Sequence, residues 1–175
     1  MRPWLKLSII LILALFLNSC AAWKVVETNP DWQFNLTCEY YETQARQLIR
    51  EAMEDNELQL LATSIVKGRQ GKEGAYAIWV WVSANIRYID NGFNIQLPIG
   101  VVMKGGGDCK NRSTLVVALA KLAGLDATLV IIALRDRRAH MYAVVEGWPV
   151  EPAPCPFGEV PFRDIMIGSY EVNFK

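Results

Sequence analysis

Residues 105–126 read GGGDCKNRSTLVVALAKLAGLD. After three glycines and Asp108, the run from Cys109 to Ala123 carries Leu115, Val116, Val117, Ala118, Leu119, Ala120, Leu122 and Ala123, which leaves almost no polar face. A helix of that kind has to sit at the centre of a fold. Gly124 suits the position just past its C-terminus. Cys109 then opens the helix, where unpaired backbone N–H groups and the helix dipole favour an anion. A free thiol titrates near ~8.5, and placement of this kind with a protonated imidazole as neighbour can lower such a thiol to roughly 3.5–7.5. The glycines would let a substrate backbone approach closely, and the same N–H groups could stabilise an oxyanion. The plainer alternatives are a small buried cysteine and a flexible glycine loop. Nucleotide-binding loops are excluded by residue type: no Gly-Lys-Ser/Thr follows, and Lys110 stands where a third glycine would be needed.

Downstream, Ala127 to Leu134 is apolar on both alternating faces, the pattern of a central strand. Arg135-Asp136-Arg137-Arg138 reads as a solvated turn, with basic-patch recognition the weaker alternative. A second strand covers Ala139 to about Val145, and Gly147 allows a tight return to Trp148-Pro149-Val150-Glu151. His140 is the only histidine of the chain, so it is the candidate base. A helix of about 14 residues leads roughly 21 Å away from the thiol. A strand of about nine residues leads roughly 30 Å back. An imidazole in this role needs a third group to orient it. If Glu146 and Gly147 are the two turn residues, Tyr142 faces Glu151, and Glu151 lies diagonal to His140 on one sheet face. A turn one residue longer would put Glu151 on the other face, as a solvated edge carboxylate. One histidine and three scattered cysteines give no zinc-ligand spacing, so neither metal nor cofactor is expected.

Upstream, helical periodicity runs from Thr37 to about Glu54 and again through Leu58, Leu61 and Ile65. Residues 68–74 break it, a third helix covers about Ala75 to Arg87, and Asn91-Gly92 turns the chain. Trp79 and Trp81 cannot share one helix face, so that helix either buries most of its circumference, the favoured reading, or turns one ring to a cleft. Helices first, then a helix feeding mostly antiparallel strands, make the class α+β.

With 175 residues, 52% of them hydrophobic, the chain supports one core. Arg2 and Lys6 precede an apolar run from Leu7 to Leu17, too short for the ~20 residues of a spanning helix. Leu17-Asn18-Ser19-Cys20 resembles a bacterial lipobox, which implies a signal peptide over residues 1–19 and a lipid on Cys20. An uncleaved anchor, or cleavage after Ala21 or Ala22, is the alternative. Residues 20–36, with Asn29-Pro30-Asp31, read as a tether, and residues 37–175 as the domain. Export permits disulfides. With Cys20 lipidated, Cys38, Cys109 and Cys155 remain, and a Cys38–Cys155 bridge would leave Cys109 free; two unbridged thiols are the alternative. The 18 basic and 18 acidic residues offer no basic face for nucleic acid.

Gly107-Asp108-Cys109-Lys110-Asn111-Arg112-Ser113-Thr114-Leu115, Ala123-Gly124-Leu125-Asp126-Ala127, His140 and Trp148-Pro149-Val150-Glu151-Pro152 together resemble the transglutaminase-like superfamily core over about residues 75–152. The resemblance implies a papain-like core, with a Cys-bearing helix packed on an antiparallel sheet. It implies Cys109 as nucleophile, His140 as base and Glu151 as third member, where the family usually has Asp before Pro. Asn111 stands where related sequences often have Asp and is given no catalytic meaning. Trp81, Asn85 and Tyr88 are candidates for completing an oxyanion hole. The implied activity is cysteine-dependent hydrolysis of an amide or peptide bond in a protein or peptide outside the cytoplasm, at a membrane held through the Cys20 lipid. A non-catalytic binding domain of the same fold and a cell-wall peptide hydrolase are the rival readings.

Overall fold

The computed structural model describes residues 30–135, 138–151 and 155–174. The expected signal peptide, Cys20 and the start of the tether lie outside the described residues, as do Asp136 and Arg137 of the arginine-rich turn. Chain contacts divide the protein into a unit Met1–Leu36, described only from residue 30, and a unit Thr37–Lys175. No helix among the described residues is long and apolar enough to cross a membrane.

Helix α1 spans Pro30–Ala52 and so begins inside the expected tether. Proline is tolerated in a first helical turn because its missing N–H would have no partner there. In the second unit α1 buries Cys38, Ala45, Ile49 and Ala52. Helix α2, Asn56–Val66, starts on Asp55, whose carboxylate accepts from Leu58 N at 2.9 Å, and buries Leu58, Ala62, Ile65 and Val66. Helix α3, Gly71–Asn85, begins four residues before the expected start at Ala75. Its early glycine is a packing requirement, since a Cβ on Gly74 would come within 2.9 Å of the Arg69 carbonyl and of Leu125 Cδ1. The buried stripe of α3 is Gly74, Ala75, Ile78 and Val82. Trp79 and Trp81 are only half-buried beside it, contrary to the expectation of core packing.

Strand β1, Arg87–Tyr88, leads through a turn at Gly92 to α4, Pro98–Lys104, whose C-terminus is closed by Gly105 at φ 64°. Strand β2, Gly106–Gly107, pairs in parallel with β1, Tyr88 opposite Gly107. Helix α5, Cys109–Leu122, follows at once. From Lys110 to Ala120 every residue of α5 is buried, as its sequence required. Each of its fully buried leucines contributes about 1.5–3 kcal/mol.

The main sheet has the order β5-β4-β3-β6 and is antiparallel throughout, with β3 Ala127–Leu134, β4 Ala139–Val145, β5 Trp148–Val150 and β6 Met166–Asn173. Helix α5 packs on β3 and β4, with α2, α3 and α4 around it. Central β3 carries Val130, Ile132 and Leu134 into a cluster with Tyr142, covered by Val144, Val160 and Met166. Glu146 at φ 52° and Gly147 at φ 78° form the two-residue turn that sets Val145 opposite Trp148. A turn with both central residues left-handed matches the twist of the strands it joins. Tyr170 of β6 donates to the Glu42 carboxylate, and Arg46 Nη1 donates to the Asn173 carbonyl at 2.8 Å, so β6 is fastened to α1. The molecule is thus an α+β fold in which the Cys-bearing helix lies between a helical layer and an antiparallel sheet.

Candidate active site

Cys109 is held by the polar residues around it. The Asp108 carboxylate caps α5, accepting from Asn111 N at 3.2 Å and Asn111 Nδ2 at 3.0 Å. It also accepts from Asn91 N at 3.3 Å and from the Lys110 ammonium. Lys110 Nζ donates in addition to the Gly92 carbonyl at 2.5 Å, and Asn111 Oδ1 accepts from Gln96 N at 2.6 Å. The loop before α4 is thereby tied to the first turn of α5. The buried Asn111, given no catalytic meaning in the sequence, is the junction.

Gly106 and Gly107 are required by packing. A Cβ on Gly106 would meet Ile89 Cδ1 at 2.3 Å, and one on Gly107 would meet Asn111 Cβ at 2.7 Å. Both are buried.

His140 lies on β4, next to Met141, whose carbonyl accepts from Ser113 Oγ at 2.8 Å. Ser113 is one turn along α5 from Cys109, so this bond pins the thiol's helix to the imidazole's strand. Glu151, 1% exposed, follows β5, and its Oε2 stands 2.6 Å from His140 Nε2. The Glu151 carbonyl accepts from Trp79 Nε1 at 3.0 Å, which gives that half-buried tryptophan a structural task. The Cys109 side chain is among the groups that raise the His140 pKa. With Nε2 committed to Glu151, Nδ1 is the nitrogen left for sulfur. The structure therefore pairs His140 with Glu151 and ties their strand to the helix that Cys109 opens.

Burial alone would lower the His140 pKa, but the hydrogen bonds to Cys109 and Glu151, with the negative charge of each, raise it from 6.5 to about 9. Arg112, buried one turn into α5, is pulled down from its ordinary value by desolvation, against the charges of Glu151, Tyr88 and Cys109. It adds a cation to this neighbourhood that sequence reasoning did not single out. The signal was present: a guanidinium near the start of a helix with no polar face has to be buried near the thiol.

Of the three oxyanion candidates, Tyr88 lies on β1 opposite Gly107, two residues before Cys109. Burial, then Cys109, Asp108, Asp90 and Glu151, push its phenol up. Tyr41 of α1 is raised likewise by burial, then by Cys109, Asp108 and Tyr40, and nothing in the sequence marked it. Trp81 and Asn85 line a separate groove with Tyr76 and Val80, where Asn85 Nδ2 donates to the Trp81 carbonyl at 2.8 Å.

The expected Cys38–Cys155 bridge is absent, and both are free thiols. Cys38 is buried in α1, where desolvation, Glu39 and Glu42 push its pKa up to about 11. Cys155 Sγ lies 3.5 Å from the Glu159 carbonyl, in the wall of a cleft of about 770 Å³ that His140, Glu151, Val160 and Phe162 also line. Burial, Glu151 and Glu159 raise its pKa. Among the described residues no group of three or more His, Cys, Asp or Glu side chains could hold a metal ion.

Residues 59–151, more than half of the chain, match the family model described as the transglutaminase-like superfamily. No curated protein matches by sequence. Among solved structures, a candidate cysteine protease from Cytophaga hutchinsonii is similar over 66% of this chain and 42% of its own, at 21% identity and a TM-score of 0.50. A candidate protease from Parabacteroides distasonis is similar over 65% of this chain and 27% of its own, at 12% identity and a TM-score of 0.49. This chain therefore spans less than half the length of either.

Proposed function

This chain belongs to the transglutaminase-like superfamily, and from that premise we propose that residues 37–175 form a cysteine-dependent hydrolase of amide or peptide bonds, with Cys109 as nucleophile. The observation that carries the reading is the His140 imidazole held 2.6 Å from the buried Glu151 carboxylate, on a strand that Ser113 pins to the helix opened by Cys109. In the cycle we assign, the Cys109 thiolate attacks the substrate carbonyl carbon, and the carbonyl π pair moves to oxygen near the start of α5. As that oxyanion collapses, the C–N bond breaks and His140 gives its Nδ1 proton to the leaving amine. Neutral His140 then takes a proton from water, whose oxygen attacks the acyl-Cys109 carbonyl. The C–S bond breaks, releasing a carboxylic acid and restoring thiolate and imidazolium. Glu151 accepts from Nε2–H throughout and holds the ring plane. An amine in place of water would make the same acyl-enzyme a transamidase.

Alkylation by iodoacetamide, followed residue by residue through peptide mapping, tests the dyad. At pH 6 Cys109 should react at least about 10-fold faster than free cysteine, as a thiolate paired with His⁺ does, and His140→Ala should remove the advantage. Equal rates in the two proteins would sink the reading. Cys38 and Cys155 do not confuse the measurement, because burial raises both thiols.

The substrate class we assign is a protein or peptide outside the cytoplasm. The basis is the leader, residues 1–19, and Cys20, which we assign as the lipidated anchor on the membrane. Cys20→Ala should move the protein from the membrane fraction to the soluble fraction; unchanged fractionation would remove the anchor.

A further inference from the structure

The segment between β5 and β6 places one ring against the imidazole. Phe162 stands 4.8 Å from His140, centroid to centroid, with the two planes 74° apart, and it lines the cleft beside Glu151. It does so from φ 55° and ψ 25°, in the left-handed region that a bulky residue rarely adopts. The residue is 45% exposed, so it is not an anchor of the hydrophobic core. What the conformation does achieve is the contact with His140.

We propose that Phe162 is a positioning residue for the candidate active site, its ring fixing the plane of the His140 imidazole between Cys109 and Glu151. The inference rests on the dyad reading above. An edge-to-face contact of this kind holds two rings at a fixed mutual angle. The groups facing His140 are Cys109 of α5 and Glu151 after β5, with Arg112 of α5 beside both. Tyr41 of α1 and Tyr88 of β1 feel the same sulfur, and Glu159, Arg163 and Asp164 share the cleft from the segment of Phe162 itself. None of these is an aromatic face on the imidazole, so no other group described here replaces the ring when Phe162 is removed.

Phe162→Gly and Phe162→Asn both accept a left-handed backbone and both delete the ring. The thermal midpoint should therefore stay or rise in the glycine variant. Alkylation of Cys109 by iodoacetamide should fall roughly 3- to 10-fold at pH 6, and stay at the wild-type rate at pH 9.5, where the imidazolium is no longer needed to hold sulfur as an anion. Phe162→Tyr should keep the wild-type profile. Wild-type rates at both pH values in the ring-less variants overturn the proposal, and so does an equal loss at both, which a merely structural role would give. A wild-type Cys109 no faster than free cysteine at pH 6 is a different failure: it removes the dyad, and this assignment with it.

Discussion

His140 is the residue on which the site turns. Desolvation of the ring is outweighed by two acceptors, so its pKa lies at about 9 against 6.5 for the unperturbed group. In the proposed cycle its first act is accordingly donation to the leaving amine, and it serves as base only towards water. The folded state binds this proton more tightly than the unfolded chain does. The stability it contributes is therefore complete below pH ~6.5 and is lost as the pH rises through about 9. Urea midpoints should be higher at pH 6 than at pH 9.5, and His140→Gln should flatten the difference; an unchanged slope in that variant would refute the linkage. The departure from the family's usual Asp is met by the geometry. Glu151, one methylene longer, reaches from a diagonal register position to 2.6 Å from Nε2. The pairing of His140 with Glu151 was legible because a lone histidine and a two-residue hairpin turn leave few choices. The influence of the Cys109 charge on Tyr41 was not, because it depends on how α1 docks, which no local pattern encodes.

Among the elements, the junction β2–α5 is the least tolerant. A methyl on Gly107 would sit 2.7 Å from Asn111 Cβ, an atom fixed to the helix backbone, whereas one on Gly106 first meets the mobile end of Ile89. Gly107→Ala should destabilise by about 1–3 kcal/mol and Gly106→Ala by less, as read from denaturation midpoints; the reverse order would show that the packing is misjudged. Strands β3 and β4 were readable to the residue because their apolar runs are bounded by turn residues, and the β4–β5 register followed from Glu146-Gly147. The starts of α1 and α3 were not, since Pro30, Gly71 and Gly74 look like breakers until their surroundings are known. Helix α4 has only seven residues and contains Gly100, too short for a period to show. Strands β1 and β2 are two residues each and exist only by pairing with one another.

At the scale of the molecule, the α+β class and the central position of α5 were legible because an almost wholly apolar helix has one stable place. The stretch beyond Glu151 was not assigned in the sequence, and it supplies the 3₁₀ turn Arg163–Ile165 and β6. That strand has a consequence for how the protein is made. His140 pairs across β4–β3 with Ile132, and Ile132 pairs on its other edge with Ser169. The row that carries the imidazole is therefore bounded by a segment synthesised almost thirty residues later than the histidine. While a nascent chain still lacks that segment, one rim of β3 presents bare amides and carbonyls, open to any extended neighbour. Biogenesis thus has a vulnerable interval, and it closes when the late strand arrives and seals the seam.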